Sequence, residues 1–191
     1  MSAVNLRLGH LYADLDKSMS KLRQQFEPVK HSRKIVEHAL LDGHAYYGIN
    51  TGFGILANKR ISNDDLAILQ ENILLSHACG MGEPVPSAIT RLMLQLKIHS
   101  LSLGYSGVSE ETFKQLLKLE EQDILPWIPS RGSVGASGDL APLAHMCLPL
   151  IGRGEVWDED LSARVPAAAV LEAKGVKPIS LQAKDGLALI N

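Results

Sequence analysis

Apolar residues along this chain recur mostly at the three- and four-residue steps of a helix, so the pattern predicts a mainly α fold. Leu11 to Phe26 reads as one amphipathic helix, and the stretch after Ser32 as a second with Ile35, Val36, Ala39 and Leu40 as its stripe. Tyr46 to Ala57 breaks the period, because three glycines with Asn50 and Thr51 predict a structured loop. Ser62-Asn63-Asp64-Asp65 opens a third helix as a capping box would, and Leu66, Leu69, Ile73 and Leu74 carry it toward Gly80. His77 then falls near its C-terminal end. The next helix starts at Ser87, is expected to bury Ile89, Leu92, Met93 and Leu96, and stops at Gly104, which suits a left-handed terminus. Ser109, followed by Glu110 and Glu111, opens another that ends before Pro126. Trp127 to Gly138 reads as loop, and Pro142 marks the first turn of a helix through about Leu150. Gly154 to Trp157 suits a short strand or hairpin arm, and Pro166 to Lys174 a last small helix stopped by Gly175. No internal repeat or linker-like tract interrupts this order.

Composition narrows the function classes. At 191 residues, with 46% hydrophobic and 21% charged residues, the chain has the material for one domain with a sizeable core. A formal net charge of -2, spread evenly, leaves no footprint for nucleic acid or an anionic membrane. Leu140 to Ile151 is the most apolar stretch, but it is broken by Pro142, His145 and Pro149 and is too short to span a bilayer. Cys79 and Cys147 lack C-x-x-C spacing and, with no signal peptide in the sequence, read as free thiols in a reducing compartment, so a cytoplasmic location is expected. Among the seven histidines no zinc-type cluster is spaced for a metal; His31 and His38 read as solvated residues of a helix surface.

The run Gly132-Ser133-Val134-Gly135-Ala136-Ser137-Gly138-Asp139-Leu140 carries the candidate chemistry. It lacks the spacing of G-x-G-x-x-G, of the phosphate loop with its lysine, and of the G-x-S-x-G nucleophile elbow. A plain glycine loop entering a helix, able at most to hold a phosphate, is the bland reading. Ala136-Ser137-Gly138 offers more. Attack of the Gly138 nitrogen on the Ala136 carbonyl, with loss of two waters including the Ser137 hydroxyl, gives a 4-methylideneimidazol-5-one (MIO), an electrophile made from backbone. Gly138 has no Cβ to obstruct that approach.

Tyr47-Gly48-Ile49-Asn50-Thr51-Gly52-Phe53-Gly54 upstream and Gly135-Ala136-Ser137-Gly138-Asp139-Leu140-Ala141-Pro142-Leu143 downstream together resemble the paired signature of the aromatic amino acid ammonia-lyases. Leu75-Ser76-His77-Ala78 and Gly186-Leu187-Ala188-Leu189-Ile190-Asn191 make the chain most similar to the branch that takes histidine. The resemblance implies an all-helical, aspartase/fumarase-like fold with minor β-structure and a homotetramer. It also implies an autocatalytically formed MIO as cofactor, and elimination of ammonia from L-histidine to give trans-urocanate. Family subunits are more than twice as long, so residues 1–191 are expected to be an N-terminal portion that carries the MIO loop and lacks the C-terminal helical bundle. Such a portion alone is expected to be inactive, with its turn left open.

By the same resemblance Tyr47 is the base that takes the substrate's β-proton, and His77 and Asn191 touch substrate. Asp139 either caps the following helix or supports cyclisation, and Tyr46 is assigned to packing. Without the motif, Tyr47 would read as an aromatic anchor and His77 as a satisfied helix-end histidine. Phenylalanine or tyrosine ammonia-lyase activity, an aminomutase using the same ring, and a non-catalytic assembly fragment remain as alternatives.

Overall fold

The computed structural model describes residues 4–51, 61–135 and 138–191. Eight α-helices lie among them: α1 (Leu11–Leu22), α2 (Glu27–Leu41), α3 (Asn63–His77), α4 (Ser87–Ser102), α5 (Glu110–Glu121), α6 (Leu140–Cys147), α7 (Ala167–Ala173) and α8 (Asp185–Ile190). Two antiparallel ribbons complete the described fold, β1 (Met81–Pro84) with β2 (Pro129–Arg131) and β3 (Glu155–Trp157) with β4 (Arg164–Pro166). The mainly α expectation is met. None of the described helices is long and apolar enough to cross a membrane.

Side chains set the helix starts. Ser62 accepts the Asp65 N–H at 3.3 Å and Ser109 accepts the Thr112 N–H at 3.2 Å, each satisfying an otherwise orphaned donor. Gly104 follows the end of α4 at φ +79°, where a Cβ would lie 2.5 Å from the Pro28 carbonyl oxygen. These are the punctuation marks expected from the sequence.

Elsewhere the phase or extent differs. Helix α1 stops at Leu22, and Phe26 is buried at the start of α2, its ring centroid 5.2 Å from that of Phe113. Helix α2 begins at Glu27 with Pro28 in its first turn, where a missing N–H costs nothing. Its buried face is Val29, Ser32, Arg33 and Val36, while Ile35 is 60% exposed. Arg33 takes the inner face because its guanidinium donates to the Ala183 carbonyl at 2.8 Å and to Gln182 Oε1 at 3.0 Å. Helix α4 buries Leu94, Ile98 and Leu101, and turns the expected Ile89 and Leu96 outward. Helix α6 ends at Cys147 and tightens into a 3-10 turn over Leu148–Ile151, where Pro149 has no N–H to give an α-helical bond. Strand β2 occupies part of the expected loop.

Helices α3, α6 and α8 pack against one another. At the crossing of α3 and α8 the Gly186 N–H donates to Gln70 Oε1 at 2.7 Å, and a Cβ on Gly186 would lie 2.8 Å from the Gln70 carbonyl oxygen. The start of α8 is fixed by Asp185, fully buried, whose carboxylate accepts from Ser109 N and Oγ, Thr112 Oγ1 and Gln182 N at 2.7–2.8 Å. One apolar core runs beneath, with Leu74, Leu94, Ile98, Phe113 and Leu116 fully buried; each such side chain contributes about 2–3 kcal/mol of transfer free energy.

Candidate active site

Three chain segments meet at one place because their helices are packed together. His77 is the last residue of α3, Gly138 and Asp139 immediately precede α6, and Asn191 immediately follows α8. A cavity of about 230 Å³ lies between the first two, walled by Ser76, His77 and Cys79 on one side and Gly132, Val134 and Gly138 on the other. A larger cleft of about 340 Å³ beside α1 has none of the candidate residues in its walls.

His77 Nδ1 lies 2.8 Å from the Ile73 carbonyl oxygen. A carbonyl only accepts, so Nδ1 carries the proton, and in the neutral ring Nε2 is left with the lone pair. The ring is thereby oriented by its own helix and keeps one nitrogen for a ligand.

Ala136 and Ser137 lie outside the described residues, as do Gly52, Phe53 and Gly54. Their flanks show whether the turn suits the expected cyclisation. Gly132, Gly135 and Gly138 adopt φ of +145°, +49° and +124°, backbone that other residues reach only with strain. A Cβ on Gly138 would sit 3.0 Å from Asn191 Oδ1, so any larger residue there would press on that side chain. This crowded, left-handed backbone fits a group closed through the Gly138 nitrogen. The turn also sits before the N-terminus of α6, whose first N–H groups favour electron density nearby.

Asp139 corrects the helix-cap expectation. It stands at the cap position of α6, but its side chain makes no capping bond; its carboxylate instead accepts a hydrogen bond from Ser133 Oγ, and its backbone carbonyl accepts the Leu143 N–H at 3.1 Å. It therefore ties one arm of the turn to the other.

Asn191 is anchored by a residue the sequence reading passed over. Lys97 on α4, only 8% exposed, donates from Nζ to the Asn191 carbonyl oxygen at 2.7 Å. Burial draws the Lys97 ammonium below its ordinary pKa, and burial pushes the Cys147 thiol up to about 12, so the thiol is neutral. A lone lysine between Gln95 and Ile98 on a mostly apolar helix was the available signal.

Tyr47 belongs to a turn at residues 47–50, is 59% exposed, and is not among the residues that line the cavity. Buried Asn50 organises that turn, accepting the Tyr46 N–H at 2.7 Å and donating to the His44 carbonyl at 2.8 Å. Tyr46 is a tether more than a packing residue: its hydroxyl donates to Asp42, which holds the Asp42 carboxyl below its usual pKa and raises that of the Tyr46 phenol. His77 and Gly138 thus share the cavity wall, Asp139 follows Gly138 in the chain and Asn191 Oδ1 reaches the Gly138 backbone, while Tyr47 does not line the cavity. Among the described residues no three His, Cys, Asp or Glu side chains are grouped as a metal site, and His31 and His38 are exposed on α2.

Comparison with known proteins adds an independent line. The family model "Aromatic amino acid lyase" matches residues 11–191. The histidine ammonia-lyase of Shewanella oneidensis is 52% identical over 160 residues, covering 84% of this chain and 31% of that protein. Among solved structures, histidine ammonia-lyase from Trypanosoma cruzi matches with TM-score 0.78 at 36% identity, over 86% of this chain and 31% of its own. The phenylalanine aminomutase of Pantoea agglomerans matches with TM-score 0.81 at 31% identity, over 94% and 35%. The chain spans about a third of the length of the curated relatives it matches. With the family match running from the start of α1 to the last residue, this chain belongs to the aromatic amino acid lyase family.

Proposed function

We propose that this chain carries the electrophile-bearing part of an ammonia-lyase that releases ammonia from L-histidine and leaves trans-urocanate. The observation that carries this reading is the convergence of His77, Gly138 and Asn191 around the single-glycine approach at the turn. Ala136, Ser137 and Gly138 would hold the MIO, which supplies an electrophilic carbon that turns the substrate's amine into a better leaving group.

The chain's own residues do the remaining work. His77 Nε2, an acceptor in the neutral ring, suits the N–H of a substrate imidazole better than a phenyl ring. Asn191 presents a carboxamide beside the turn, able both to donate to a substrate carboxylate and to accept from an amine. Asp139 braces the turn through Ser133. Tyr47 is the proposed base for the β-proton, and the full-length subunit is proposed to work as a homotetramer. A cytoplasmic location is part of the same reading, as is the assignment of residues 1–191 to the MIO-bearing portion of a longer subunit.

The direct assay is urocanate absorbance with L-histidine, set against cinnamate from phenylalanine and coumarate from tyrosine. A β-amino acid product would favour the aminomutase activity to which the Pantoea likeness points. In the full-length parent, Ser137→Ala has no hydroxyl to eliminate, so it is expected to abolish both turnover and the two-water loss of about 36 Da in intact mass, a covalent change that mass alone reports. Ring formation in that variant would overturn the assigned chemistry. Tyr47→Phe should keep the mass loss while lowering turnover about 100-fold or more; an unchanged rate would remove Tyr47 from the mechanism.

A further inference from the structure

Gly80 stands beside the cavity, in close approach to Gly132 of its wall. It lies three residues beyond His77, and immediately after it the chain enters β1, with Met81 opposite Arg131 of β2. A Cβ on Gly132 would sit 3.0 Å from the Gly80 Cα, and a Cβ on Gly80 would sit 3.2 Å from the Arg131 carbonyl oxygen. The ribbon therefore closes at Gly80 and Gly132, and the chains part from there into the cavity.

His145 reaches this pivot from α6, the helix that the prosthetic turn opens. Its Nε2 lies 2.9 Å from the Gly80 nitrogen, and a Cβ on Gly80 would come within 3.1 Å of the same atom. We infer that His145 is a positioning residue that accepts the Gly80 N–H and clamps the segment bearing His77 against the prosthetic turn. The inference rests on the lyase reading above for its catalytic consequence, but the clamp itself is testable without it.

The chemistry of the bond is fixed by its donor. A backbone N–H can only donate, so Nε2 holds a lone pair and the proton of the neutral ring sits on Nδ1. Burial lowers the basicity of this imidazole, against a smaller opposing effect of Glu155, and so keeps the acceptor form in place. His145 is not among the residues that line the cavity. It acts through Gly80, in the way that a misplacement of about 1 Å by a remote change can cost on the order of 100-fold in rate.

Two substitutions in the full chain separate a clamp from a merely space-filling histidine. His145→Gln keeps an acceptor, Oε1, within reach of Gly80, whereas His145→Leu fills the space without one. Amide hydrogen exchange at Gly80 is expected to accelerate about 10-fold or more in the leucine variant and to return toward the parent rate in the glutamine variant. In the assembled enzyme kcat/KM for L-histidine should follow the same order, falling about 10- to 100-fold with leucine and recovering with glutamine. Unchanged Gly80 protection with leucine, or no rescue by a folded glutamine variant, overturns the clamp. A full-length, assembled parent that protects Gly80 yet releases no ammonia retains the clamp and rejects the lyase reading instead. Should the leucine variant fail to fold, the imidazole 15N spectrum of the unaltered protein decides: a bare Nε2 on His145 upholds the inference, and a protonated Nε2 overturns it.

Discussion

At Gly138 a hydrogen stands where any other residue would put carbon 3.0 Å from Asn191 Oδ1, on backbone at φ +124°. Gly138→Ala is therefore expected to cost about 1–3 kcal/mol of stability and to block cyclisation; a thermal melt and the intact mass read the two effects separately. Histidines set a second residue-level property. Burial lowers the pKa of His99, whose Nδ1 lies 2.9 Å from Ser18 Oγ, and that of His145. Between the folded and unfolded pKa values the unfolded chain binds more protons, so this stability is fully present above the ordinary histidine value of about 6.5 and is lost as pH falls toward the folded values. The melting temperature should drop on acidification from about pH 7 to about pH 5, and His99→Gln should flatten that slope. An identical slope in the variant would rule out a His99 contribution.

Among the elements, α8 has the most to lose from a single change. Its first residue, Asp185, gathers four donors from the start of α5 and from Gln182, and this anchoring fixes the start of the helix that carries Asn191 to the turn. Asp185→Ala would strand those donors in the interior, at a cost of about 3–5 kcal/mol by the measure of a broken buried charge interaction. Urea unfolding measures it, and a change under about 1 kcal/mol would show that water replaces the carboxylate. The same helix marks the limit of what the sequence makes legible. Ser62, Ser109 and Gly104 announce helix ends through bonds or contours set within a few residues, and those ends lie where expected. Helix α8 is six residues long, with Lys184 at φ +78° before it, and it is held from Ser109 and Gln70, which no local pattern reveals. The phase of α4 was obscured because apolar residues surround much of it, and β1 meets β2 only through pairing distant in sequence. For the site, His77 shares a cavity wall with Gly138, and Gly138 lies against Asn191, an arrangement set by helix packing and not by spacing. Asp139 changes its partner, and Lys97 and His145 enter through contacts that spacing does not encode.

Across the whole molecule, apolar positions left at the surface are themselves ordered. Ile89 and Leu96 on α4 and Leu103 just beyond it are 45%, 37% and 37% exposed at seven-residue steps, and Ile68 and Leu75 on α3 are 59% and 43% exposed at the same step. Such a seam matches the spacing by which helices pack side by side. Self-association in sedimentation velocity is expected, and Leu75→Lys with Leu96→Lys should shift the chain toward monomer; a concentration-independent monomer in the unaltered chain would contradict this. Since the chain spans about a third of the length of its curated relatives, the isolated 191-residue chain is expected to release little urocanate, and a rate equal to that of a full-length relative would show its site to be complete. The contact between Asn191 and Gly138 also imposes an order in time. During synthesis the prosthetic turn emerges well before α8 can exist, so on the proposed chemistry every newborn chain is an ordinary peptide until α8 docks. Dehydration then trails synthesis of the turn by a lag, and the dehydrated mass becomes a tally of molecules in which α8 has docked, accumulating even when no substrate is present.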